Sequence, residues 1–87
     1  MPNKNSKTKK SPPTDEEVKK AILIVLSDKK AYSTSLNYAV GYCHNALRLF
    51  GASLHTQVLY ILNNITHWRH PEAKNVRDVL KAYKGGK

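Results

Sequence analysis

The sequence predicts an all-α protein: a small bundle of four helices near residues 14–27, 34–50, 53–69 and 71–84, preceded by a basic tail. Three observations carry this reading. Apolar residues recur at steps of four and three in two separate segments, as on one face of a helix. Cap-forming residues stand just ahead of the apolar runs, and no later segment alternates in the way a partner strand would.

Residues 1–13 are mostly Asn, Lys, Ser, Thr and Pro without apolar periodicity. Nothing there offsets the entropy of ordering the backbone, so a disordered, lysine-rich tail is expected. The first helix opens at Thr14, with Glu17 three residues on in the spacing of a capping box. Asp15 and Glu16 sit well against the positive end of its dipole. Residues 21–26 are apolar all round and by themselves would suit a buried strand; the capping box and the missing partner strand decide for helix.

Residues 27–30 make a polar break, and Ser33, Thr34 and Ser35 are successive N-cap candidates for the second helix. Leu36, Val40, Cys43, Leu47 and Phe50 form its seam, and Gly51 takes the left-handed position after its end. Ser53 then caps the third helix, whose seam is Leu54, Val58, Ile61, Ile65 and Trp68. The two helices form a hairpin with a very short turn. His70 is biased out of the helical region by Pro71, which itself suits the first position of the last helix. Ala73, Val76, Leu80 and Tyr83 face inward from that helix, and Gly85 and Gly86 end it. One domain over 14–84 follows, with a flexible end at 85–87.

Such a domain, with about 70 residues available for a core, hides only about 60% of the surface its unfolded chain exposes. Self-association is one way to add burial. Cys43 is the sole cysteine, so no internal disulfide can form, and the longest apolar run is far too short for a bilayer. A soluble, cytoplasmic protein is expected, with no membrane partner.

The formal net charge is +9. Lys4, Lys7, Lys9 and Lys10 give the tail +4, Lys84 and Lys87 add +2, and residues 14–83 carry +3. A basic arm attracts phosphate polymers because each neutralised phosphate releases counterions, and it needs no shaped pocket to do so.

The turn around Gly51 invites comparison with a DNA-reading helix-turn-helix, in which the third helix would present His55, Thr56, Gln57, Asn63, Asn64 and His67. The register disagrees: apolar anchors belong six and nine residues after the turn glycine, where Gln57 and Tyr60 stand, and Val58 and Ile61 come one later. A plain helical hairpin accounts for the same residues. His44, His55, His67 and His70 with Cys43 raise the question of a metal, but zinc needs three or four convergent ligands and these residues lie along different helix directions. No metal and no cofactor are expected. Cys43 is a seam residue without an activating base, and the carboxylates at 15–17 are explained by capping, so no enzyme and no small-molecule substrate are expected either.

The leading expectation is binding of DNA or RNA, mainly through backbone phosphates. The tail lysines would serve as an arm, and Lys19, Lys20, Lys29, Lys30, Arg48, Gln57, Asn64, Arg69, Lys74, Arg77 and Lys81 are the surface candidates. The alternative is a protein-interaction or structural module, binding a partner or a second copy through a second apolar stripe of Tyr38, Tyr42 and Leu49.

Overall fold

The computed structural model describes residues 11–85. Among them are four α-helices and no strand: α1 (Asp15–Ser27), α2 (Ala39–Ala46), α3 (Gly51–Asn63) and α4 (Ala73–Ala82), with a 3-10 turn at Lys29–Ala31. Lys4, Lys7, Lys9 and Lys10 lie outside the described residues, as do residues 86–87.

α1 starts where its capping box requires. The Thr14 Oγ1 accepts the Glu17 N–H at 3.1 Å, and Glu17 Oε1 accepts the Thr14 N–H at 2.8 Å. The other three helices differ in their bounds from the sequence expectation, each for a physical reason. Residues 32–38 form successive turns instead of the first coils of the second helix. Thr34 bonds back to the Ala31 carbonyl through both its N–H and its hydroxyl, offering the backbone a local alternative to the helix. At its other end α2 stops at Ala46: Arg48 and Leu49 bond three residues back, tightening the chain, and Phe50 is extended.

Gly51 does adopt the left-handed conformation, with φ of 57°, but as the first residue of α3, so Ser53 lies inside that helix rather than capping it. The cap comes from across the bundle, where Asp15 Oδ2 accepts the Gly51 N–H at 3.0 Å. α3 ends at Asn63 because the Asn64 side chain donates to the Tyr60 carbonyl, which the next helical N–H would have used. The Asn64 N–H turns to Ile61 instead. Ile65 and Trp68 are fully buried even though they lie beyond the helix. α4 begins two residues after Pro71, since the His70 ring Nδ1 accepts the Glu72 N–H and holds the chain in a turn there.

The helices form a closed ring, with α1 packed on α2 and α4 and α3 packed on the same two. α1 and α3 run one way, α2 and α4 the other. At one end, hereafter the Gly51 end, Asp15 joins the start of α1 to Gly51 and to Tyr83 after α4. At the other, the Trp68 end, Asp28 Oδ2 accepts the Trp68 Nε1–H at 2.9 Å and ties the end of α1 to the connection between α3 and α4. Every buried residue among those described is apolar; Val18, Ile22, Val25, Leu36, Cys43, Leu54, Val58, Ile61, Val76 and Leu80 fill the centre. No helix among the described residues is long and apolar enough to cross a membrane.

Candidate nucleic-acid interface

The connection from Asn64 to Glu72 has an alternation that comes from its anchors. Ile65 and Trp68 are held in the core, so Thr66, His67 and Arg69 between and beside them are turned to solvent. With α4 behind it, this segment frames a recess of about 490 Å³ lined by Thr66, His67, Trp68, Arg69, His70, Ala73, Lys74 and Arg77. Among the described residues, no carboxylate lines it.

Three of its side chains are placed by specific contacts. The His70 ring stacks on the Trp68 indole at a centroid distance of 5.2 Å and 24° between planes. Because its Nδ1 accepts the Glu72 N–H, the neutral ring carries its proton on Nε2 and offers a donor there. Arg77 Nη2 donates to the carbonyls of Ile65 at 2.9 Å and Trp68 at 2.7 Å, which fixes the guanidinium on the wall of the recess. Lys74 pairs with Asp78 at 3.1 Å in an exposed ion pair of the kind that adds little stability and yields easily to a competing anion. Arg69 is exposed, and among the described residues it has no carboxylate partner. The positive end of the α4 dipole opens beside these groups.

The structure thus brings together Arg69, Lys74 and Arg77 from the expected phosphate contacts and disperses the rest. Lys29 and Lys30 are exposed at the same end, just after Asp28. Lys19 is at the opposite end, its Nζ 3.6 Å above the Phe50 ring, and Arg48 is exposed near the α2–α3 joint. Lys20 borders an apolar trough between α1 and α4. Lys81 joins His55, Tyr83 and Lys84 around a second basic hollow at the Gly51 end. Of the expected readers of bases, the Asn64 amide is engaged internally, donating to the Tyr60 carbonyl, and Gln57 has its Oε1 buried without a hydrogen-bond partner. Arg77 is as much a structural clamp as a surface cation. Of the expected apolar stripe, Tyr38 is exposed, Tyr42 is half-buried against Tyr60, and Leu49 packs on the edge of the core.

Among the described residues no group of three or more His, Cys, Asp or Glu side chains converges. Burial pushes the Cys43 thiol up to about 12, which keeps it protonated and unreactive. The role of Thr66 and of the two histidines in framing a basic recess was not legible from spacing. The absence of any Asp or Glu between Asp28 and Glu72 is the sequence signal that points to it. Compared with protein-family models, curated proteins and solved structures, the chain matches none.

Proposed function

We propose that this protein binds nucleic acid inside the cell, mainly through backbone phosphates, with the Trp68-end recess as its principal contact on the folded domain. The observation that supports the reading is the recess itself, where Arg69, Lys74 and Arg77 surround a hollow free of carboxylates among the described residues. Guanidinium groups present a planar fork that matches phosphate oxygens in pairs, and Lys74 adds a point charge. Lys29 and Lys30 extend positive potential around the same end, and the four tail lysines add to the long-range attraction.

Fluorescence anisotropy with labelled nucleic acid over a salt series tests the proposal. Binding should weaken linearly on a logarithmic salt scale, with a slope near 0.9 for each phosphate contacted on a duplex. Arg69→Ala should reduce both the affinity and the slope, while a chain starting at Ser11 should keep the part of the affinity that belongs to the folded domain. Absence of binding even at low salt removes the proposal.

A protein-interaction role is the second reading, and one observation favours it. The trough between α1 and α4 is lined by Ala21, Ile24, Val76, Val79 and Ala82. A rise in mass with concentration in sedimentation, abolished by Ile24→Lys, would support that role.

A further inference from the structure

Across the α2–α3 pair, the Tyr42 and Tyr60 rings meet at a centroid distance of 5.1 Å, tilted by 36°. Tyr38, four residues before Tyr42 at the start of α2, is 74% exposed, and Tyr60 is 44% exposed. Core packing does not account for rings so open to water. Three tyrosines therefore form an aromatic strip over two antiparallel helices, close to the end of the bundle that holds the basic recess. The strip lies within the stretch that has no Asp or Glu between Asp28 and Glu72.

We infer that this strip is a stacking platform for unpaired bases, so that the nucleic acid bound is single-stranded. The inference rests on the nucleic-acid reading above and deepens it. Phosphates of a strand seated at Arg69 and Lys74 leave its bases free to lie over rings on the adjoining face. Stacking on an aromatic ring is tolerant of sequence because every base has a π-face, which suits a surface where the Asn64 amide is tied to the Tyr60 carbonyl and the Gln57 amide oxygen is buried. A duplex keeps its π-faces inside the stack and has nothing to offer the strip. Charge complementarity favours the same occupant: α2 and α3, which carry the strip, contain no Asp or Glu and the chain's net charge is +9, so a polyanion gains there, whereas a second copy of the chain would bring like charge against like.

The test uses the full chain and four variants, with three labelled probes at one salt concentration: a mixed-sequence single strand, the duplex of the same sequence, and an abasic single strand of equal length. The single strand is expected to bind about tenfold tighter than either of the others. Tyr38→Ala and Tyr60→Ala are each expected to lower single-strand affinity about tenfold and to leave duplex affinity unchanged. Tyr60→Phe, which keeps the ring, should restore it. Arg69→Ala should weaken all three probes together. Equal binding of the three probes with no effect of the tyrosine variants overturns the stacking platform while leaving phosphate binding intact; no binding of any probe at low salt overturns both.

Discussion

Asp15 does more than its place in the first turn of α1 announces. Its two carboxylate oxygens accept from the Tyr83 hydroxyl and the Gly51 N–H, residues 68 and 36 positions away. Those bonds, the Tyr83 hydroxyl first and the Gly51 amide second, hold its carboxyl below the ordinary value of 3.8. A carboxylate with a depressed folded pKa stabilises the fold above its unfolded pKa and loses that contribution as pH falls through the folded one. Tyr83 has the opposite sign: burial first, then its hydrogen bond to Asp15 and the Asp15 charge, push its hydroxyl above the ordinary value of 10.0. Its contribution is present below that value and fades as pH rises beyond it. Thermal unfolding followed against pH should accordingly show loss of this bond on the acid side of about pH 4 and on the alkaline side of about pH 10. Asp15→Ala should cost about 1–3 kcal/mol, because it leaves the hydroxyl of the buried Tyr83 with only the Gly51 carbonyl at 3.4 Å and uncaps a helix N–H. It should also flatten the acid limb. Cys43 gives a second check at this scale, since its buried thiol should react with an aromatic disulfide reagent only when the chain unfolds.

At the scale of elements, what the sequence made legible depended on how far away the deciding bond lies. α1 was readable at its start because Thr14 and Glu17 cap each other three residues apart. α3 was not, because the acceptor for Gly51 sits on α1 and no window around residue 51 contains it. The buried face of the third segment was readable, since Leu54, Val58, Ile61, Ile65 and Trp68 are all interior whether or not the helix continues to Trp68. That of the second was readable only in part, because the chain turns extended at Phe50 and leaves its ring 69% exposed, while Ala39 and Ala46 are buried beside Leu36 and Cys43. Periodicity reports burial, and the break at Asn64 changes the backbone without changing which side chains go in. The same reasoning explains why Arg77 read only as a surface cation: its carbonyl partners, Ile65 and Trp68, belong to a segment expected to be helical, where the Ile65 carbonyl would take the N–H four residues on. Arg77→Ala should destabilise the domain by about 1–3 kcal/mol by leaving the part-buried Trp68 carbonyl without a donor and the Ile65 carbonyl with only the Trp68 N–H. Arg77→Lys should recover little of it, since the lysine side chain ends one bond short of the Nη2 that makes both bonds. Chemical denaturation of the three chains measures both.

For the molecule as a whole, the polar bonds fall into two clusters at opposite ends of a core that is apolar throughout among the described residues. Asp15, Gly51 and Tyr83 close one end; Asp28, Trp68 and Arg77 close the other. The thirteen residue steps from Asp15 to Asp28 along α1 separate them by about 20 Å, beyond the range at which substitutions usually couple. Stability and binding should therefore come apart. Tyr83→Phe removes a hydroxyl donor at the Gly51 end and Trp68→Phe an indole donor at the recess end, each costing about 1–2 kcal/mol, and the double variant should lose the sum to within about 0.5 kcal/mol. Affinity should respond to only one of them. Trp68 carries the stacked His70 ring and stands beside Arg69, so loosening it disturbs the geometry that would hold phosphate, whereas Tyr83 touches none of those groups. Measured at a temperature where circular dichroism shows all variants folded, Tyr83→Phe should bind nucleic acid as the parent does and Trp68→Phe severalfold more weakly. Equal losses would mean that binding follows overall stability, and the contact would then have to be sought away from the recess.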